Sequence, residues 1–270
     1  MNKSNNYHPK IGAVIALYNP SIELLKNSIK SYINSVDQIF LIDNSDSHTH
    51  LDISSEKITH IRIGENIGIA AALNIGLDLC RKYNLQYIIT MDQDTIFFPA
   101  IDSYPIELFD ENTLALYPSI ISECGQIQSC RPIQSGAIFS LKVLARIGNF
   151  CEKYFIDYVD YEIFKRGTTS GLKVLNVPNI FIKQKNGEKY TGKLLFWKYR
   201  YTFSSPLRMY YQTRNAIDYI IKYQDYAQIL IFIKLILKIL LVSNNKKERI
   251  KYFIKGINDW RANKWGKYNG

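Results

Sequence analysis

The sequence predicts an α/β protein with an open, mostly parallel central sheet flanked by helices and a helical extension at its C-terminus. Three observations carry this. Apolar runs without polar alternation, Ile11 to Leu17 and Tyr87 to Met91, read as strands buried on both faces. Segments of helical spacing alternate with the strands. Each strand ends in a polar cluster: Tyr18-Asn19, Asp43-Asn44, Gly64-Glu65-Asn66 and Asp92-Gln93-Asp94. In open sheets ligands bind beyond the carboxyl ends of the strands, so chemistry is expected at these clusters.

Taken in order, Ile11 to Leu17 is stopped by Tyr18-Asn19-Pro20, and the next segment has apolar residues at Ile22, Leu25, Ile29 and Ile33, one face of a helix. A second strand runs from Gln38 to Ile42 and a third from Ile58 to Ile63. A helix follows from about Gly68 to Lys82, and the next strand delivers Asp92 and Asp94. Side chains alternate along an extended segment, so these two carboxylates project to one side and can share a divalent cation. A bare D-x-D is often only a solvated loop. Its position at the end of a buried strand points instead to a metal-bound diphosphate.

With 270 residues and 47% hydrophobic content, the chain suits one catalytic domain plus an extension. The division expected is residues 1–204, with a nucleotide half of about 1–98 and an acceptor half of about 99–204, followed by residues 205–270. Met1 to Lys10 is polar and lacks the apolar core of a signal peptide, which places the N-terminus in the cytoplasm. Cys80, Cys124, Cys130 and Cys151 lack C-x-x-C spacing and read as reduced thiols. His48 and His50 read as a polar loop rather than a zinc site.

The net charge of +10 is unevenly spread: residues 1–180 carry 15 positive and 19 negative groups, and residues 181–270 carry 19 and 5. An anionic partner for the last third follows. Nucleic acid is disfavoured, because no reader motif accompanies the charge. The aliphatic run from Ile229 to Val242 is broken by Lys234 and Lys238. It is shorter than the roughly 20 apolar residues of a spanning helix, and fits a helix lying in the bilayer interface. Basic clusters from Lys246 to Lys255, with Trp260 and Trp265, add to attachment at an anionic cytoplasmic leaflet. The alternative is a helix buried against the catalytic domain or a partner subunit.

Several stretches together resemble the inverting nucleotide-sugar glycosyltransferases of family 2 and the GT-A fold. They are Ala13 to Pro20, Asp43-Asn44-Ser45, Asn66 to Gly76, Met91 to Asp94, Gln134 to Ala137, Phe155 to Glu162 and Arg208 to Asn215. The Asp-Gln-Asp wording resembles the bacterial rhamnosyltransferase branch. The resemblance implies that Asp43 receives the N3–H of a pyrimidine, with Tyr18, Asn19, Asn66 and Gly68 around the nucleotide. It implies that Asp92 reaches the ribose or a metal-bound water and that Asp94 binds Mg²⁺ or Mn²⁺. Asp160 becomes the general base, Asp157 orients the acceptor, and Ser135-Gly136 form the floor under the sugar. Arg208, Tyr211 and Arg214, at spacings 0, 3 and 6 on one helix, can share a broad face, with one or both arginines expected to clamp the diphosphate; a plain surface helix with solvated arginines is the alternative. Glu162 is expected to pair with Arg166.

One departure stands out. Many relatives of this kind place a histidine on the metal or diphosphate where this chain has Gln184. Three outcomes follow: Gln184 coordinates through its amide oxygen, Lys183 or Lys185 replaces metal charge, or metal affinity falls. The resemblance implies dTDP-L-rhamnose as donor and a lipid-diphosphate-linked saccharide as acceptor, in assembly of a bacterial surface polysaccharide at the inner face of the cell membrane. Transfer of galactofuranose or a UDP-hexose, and a catalytically silent nucleotide-binding scaffold, are the alternatives.

Overall fold

The computed structural model describes residues 9–47, 51–98, 101–122, 125–183, 189–194, 197–202, 205–242 and 245–270. Gln184, Lys185, His48, His50 and Cys124 lie outside them.

The chain begins with β1 (Ile11–Leu17), α1 (Ile22–Lys30), β2 (Gln38–Asp43) and β3 (Ile58–Arg62). The first helix ends at Lys30, and Ile33 falls in a short 3₁₀ turn beyond it. Next come α2 (Ile69–Lys82), β4 (Tyr87–Asp92), β5 (Ile96–Phe98), β6 (Thr113–Ile121), β7 (Ile127–Ser129) and β8 (Ile138–Ser140). They are followed by α3 (Leu141–Ile147), α4 (Val159–Thr169), β9 (Lys173–Lys183), and the antiparallel hairpin β10 (Lys189–Leu194) and β11 (Trp197–Thr202). Three helices close the chain: α5 (Pro206–Tyr223), α6 (Tyr226–Val242) and α7 (Lys246–Arg261).

The main sheet runs β3-β2-β1-β4-β8-β6-β9-β5, with β7 beside β6. Its first four strands are parallel, as the buried runs predict. Beyond β4 the sheet is mixed: β8 lies antiparallel to both neighbours, β9 is parallel to β6, and β5 is antiparallel to β9. The reason is the connection. No crossover helix separates β6 from β8, and without one a strand returns antiparallel.

Packing divides the chain into two compact units, residues 1–67, 71–150 and 163–184 in one, and 68–70, 151–162 and 185–270 in the other. The first holds the main sheet. Leu25 and Ile29 of α1 pack with Ile15, Leu17, Ile39 and Leu41 in its core, all wholly or almost wholly buried. Burying each such side chain contributes about 1.5–3 kcal/mol.

In the second unit, α5 starts with Ser205, whose hydroxyl accepts from the Arg208 amide, and Pro206 in the first turn. α7 lies close on α5 at Gly256, where a Cβ would stand 2.8 Å from the Tyr210 carbonyl oxygen. The Tyr210 hydroxyl donates to Asp259 at 2.9 Å, and Phe232 of α6 stacks on Phe253 of α7 at 5.9 Å.

Candidate active site

In the first unit the chain runs outward from β1 to β2 and β3, then returns to β4 on the other side of β1. That reversal makes the carboxyl ends of β1 and β4 the switch point of the sheet, where open α/β sheets bind ligands. Register places Leu17 beside Asp43 and Ala16 beside Asp92, so the two acids flank the end of β1. Asp43 is wholly buried. Its Oδ1 accepts from the Ser45 amide at 2.9 Å, its Oδ2 receives no hydrogen bond among the described residues, and His60 Nε2 stands 3.4 Å from Oδ2.

The loops here are tied to each other. The Gln93 amide clasps the Tyr18 backbone, accepting from its N–H at 2.9 Å and donating to its C=O at 3.3 Å. Ser45 Oγ accepts from the Asn19 amide at 2.8 Å, with Asn19 in the left-handed region at φ 44°. Gln134 Nε2 donates to Asp92 Oδ1 at 2.6 Å, while Ser135 Oγ accepts from the Asp92 amide at 3.0 Å and donates to Thr95 at 2.9 Å. Asp94, half-buried, forms no hydrogen bond or ion pair among the described residues.

A cation fits this donor set in part. Two carboxylates leave one strand end together and one is unengaged, while no group of three or more His, Cys, Asp or Glu side chains among the described residues forms a ready-made site.

The second unit contains the acidic segment. Asp157 and Tyr158 both have left-handed backbone, at φ 62° and 64°, a conformation that costs about 1–3 kcal/mol per non-glycine residue. Buried Asn215 holds it, donating from Nδ2 to the carbonyls of Ile156 at 2.9 Å and Asp157 at 3.1 Å. α4 starts directly after this turn.

The three acids of the segment meet different partners. Arg208 forks onto Asp157, with Nε 3.0 Å from Oδ2 and Nη2 2.9 Å from Oδ1. Glu162, almost wholly buried, receives Lys222 at 2.9 Å and the Tyr223 hydroxyl at 2.8 Å. Asp160 accepts the Tyr161 amide at 2.9 Å and forms no ion pair among the described residues. The Asp160 carboxyl is pushed up to about 6, by burial first and by the Asp157 charge, against the Tyr161 amide and Arg208, which hold it down. Such a group is ionised at neutral pH yet still basic enough to accept a proton.

Comparison with known proteins follows the same lines. The family model described as Glycosyl transferase family 2 matches residues 13–164. The chain belongs to glycosyltransferase family 2. It is 27% identical to the dTDP-rhamnosyl transferase RfbF of Shigella flexneri over 279 aligned positions, covering 92% of this chain and 93% of that protein. A crystal structure of GalNAc-T7 with UDP, GalNAc and Mn²⁺ aligns with a TM-score of 0.53 at 16% identity, covering 96% of this chain; the chain spans 58% of that one. The fold is GT-A, as the sequence motifs lead one to expect.

For this family 2 glycosyltransferase the structure redraws several of the expected contacts. Arg208 and Arg214 do not share a face, since six residues of α-helix turn through about 240° beyond a full turn. Arg208 is 52% exposed, whereas Arg214 is wholly buried. Arg214 Nη1 donates to the Tyr210 hydroxyl at 3.1 Å and the Gly266 carbonyl at 3.1 Å, and its guanidinium lies 5.2 Å from the Trp265 ring centre. Buried Tyr211 stacks on Phe155 at 5.2 Å, and its hydroxyl accepts from the Tyr268 amide at 2.8 Å. Both residues hold the C-terminal segment on α5 instead of forming a clamp.

The two glycines also have packing reasons of their own. Gly68, at φ 87°, opens α2, and a Cβ there would stand 2.6 Å from the Phe155 carbonyl oxygen. Gly136, at φ 78°, faces Ile182 and Pro118 at 2.8 and 2.9 Å, so core packing excludes a side chain. Asn66 lies half-buried in the loop after β3. Arg166, expected on Glu162, donates to the carbonyls of Ile147, Gly148 and Asn149.

Sequence reasoning missed Gln134, His60 and Asn215 as supporting residues. Only Gln134 and Asn215 carried a signal, since each lies inside a motif quoted for its neighbours.

Proposed function

We propose that this chain transfers L-rhamnose, with inversion, from dTDP-L-rhamnose to a lipid-diphosphate-linked saccharide at the cytoplasmic surface of a bacterial membrane. The observation that carries the catalytic part is the fate of the three acids: among the described residues Asp157 and Glu162 each pair with a cation, and Asp160 forms no ion pair. Asp160 is therefore the general base. Its carboxylate takes the proton of the acceptor hydroxyl as that oxygen bonds to the anomeric carbon from the side opposite the diphosphate, which departs with the electron pair of the broken C–O bond.

On the donor side, Asp43 Oδ2 accepts the N3–H of the base, which relieves a buried acceptor that otherwise lacks a donor. Tyr18, Asn19 and Asn66 line the nucleotide, and Ser135 and Gln134 hold Asp92 in place. Asp94 and Asp92 would hold a Mg²⁺ or Mn²⁺ ion, which when bound neutralises charge on the departing diphosphate. Arg208, the exposed arginine of α5, is the one available to an anionic ligand, in exchange for Asp157.

The donor sugar rests on the likeness to the Shigella flexneri protein. Asp43 does not separate dTDP from UDP, because thymine and uracil both present N3–H. Calorimetric titration of the purified chain with dTDP and UDP, each with and without Mn²⁺, tests the reading. Metal-dependent preference for dTDP is expected. Preference for UDP would move the donor to another sugar, and binding of neither would leave a silent scaffold.

A further inference from the structure

Helix α6 has an apolar face that no described residue covers. Tyr226, Leu230, Ile233 and Leu237 are 76, 62, 46 and 49% exposed. Spacings of four, three and four residues align them in one row along the helix. The other side of α6 is satisfied within its own unit: Gln228 and Ile239 are buried, and Phe232 stacks on α7. Exposed apolar side chains that are contiguous, rather than scattered singly, mark an interaction site.

Charge decides what covers it. Lys234 is exposed, one helical turn after Leu230, and Lys246, Lys247 and Lys251 are exposed on α7. Residues 226–270 contain ten Lys and Arg against two acids. A second copy of the chain, docked about a two-fold axis, would set this patch against itself and bring its cations together. An anionic lipid surface attracts them.

α6 is short for a spanning helix. The 17 residues of α6 measure about 25 Å against a hydrocarbon core of about 30 Å, and no described helix is long and apolar enough to cross a membrane. A helix lying in the interface sinks its apolar row roughly 5–10 Å and lets lysine stems reach back to the phosphates.

We propose that the row Tyr226, Leu230, Ile233 and Leu237, with Lys234 and the lysines of α7, is the surface by which this chain lies on an anionic bilayer. The assignment rests on the membrane-surface reading above and specifies the surface that carries it.

The test is flotation of the full chain with vesicles of phosphatidylglycerol and phosphatidylcholine in equal parts, and with phosphatidylcholine alone. The unaltered chain is expected to float with the anionic vesicles and to be released by salt. The variant L230S/I233S/L237S is expected to bind more than tenfold less tightly. As a check that does not depend on a destabilised variant, Leu230→Trp should gain emission that brominated lipids quench. Equal binding by the triple variant, with no quenching of Leu230→Trp, would overturn the α6 assignment while leaving the membrane reading intact. No binding by the unaltered chain would overturn both. A concentration-dependent dimer in sedimentation, lost in the triple variant, would assign the row to a second copy instead.

Discussion

The two acidic clusters of this chain look alike in sequence and behave differently in the fold. Asp92-Gln93-Asp94 leaves a strand, and its surroundings are mostly neutral: an amide from Gln134, a hydroxyl from Ser135 and a backbone clasp through Gln93. Asp157 to Glu162 starts a helix, and two of its three carboxylates are answered by cations from α5. The first arrangement leaves Asp94 open to an external cation. The second sorts three similar acids into two ion pairs and one raised carboxyl. The identity of an acid says little about its role; the sign of what faces it says more.

The change expected to break this contrast most sharply is Asp160→Asn. Transfer should fall about 10²–10⁴-fold, the usual contribution of a positioned base, while dTDP affinity stays within a few fold by calorimetry. Comparable loss of nucleotide binding would move Asp160 to the donor side.

Asp94→Asn is next. A fall of about 10²-fold in turnover is expected from losing charge stabilisation of the leaving group, together with loss of Mn²⁺-dependent nucleotide binding. Unchanged metal dependence in titration would remove Asp94 from the ion site.

A smaller effect belongs to stability. Glu162→Gln removes the buried partner of Lys222 and is expected to cost about 1–3 kcal/mol in urea unfolding, with nucleotide affinity retained. An unaltered midpoint would show that the pair adds nothing.

The finest test is pH. Turnover should fall as pH drops through about 6, where Asp160 takes up its proton. Arg208 lowers that value and Asp157 raises it, so Arg208→Gln should move the acid limb upward and Asp157→Asn should move it downward. Shifts of the same sign would defeat the electrostatic account. Stability follows the same linkage. Because the folded pKa of Asp160 lies above the unfolded value, the folded state binds the extra proton between about pH 4 and 6, and this group's contribution to stability declines as pH rises through that window. Asp160→Asn should therefore melt no lower than the parent at pH 7.

Much of the strand order in the first unit was legible before the structure. Continuous apolar runs identify β1 and β4, and the polar residues that end them lie beside each other because parallel strands align their carboxyl ends. The antiparallel entry of β8 was not legible, since a three-residue strand carries no periodicity. Nor was the role of Gln134, which meets Asp92 across 42 residues of chain. On α5, spacing alone could not separate Arg208 from Arg214; burial by α7 and the C-terminal segment did so.

By itself, then, the sequence determined the strand and helix order of the first unit, the place of its polar ends, and the charge of the C-terminal third. These are local properties, set by side-chain period, backbone preference and composition. Only the tertiary structure decided which acid forms no ion pair among the described residues, which arginine stays exposed, and which row of α6 the described residues leave uncovered. Each depends on what residues distant in the chain bring within a few ångströms, and desolvation and Coulomb energies are settled at that range.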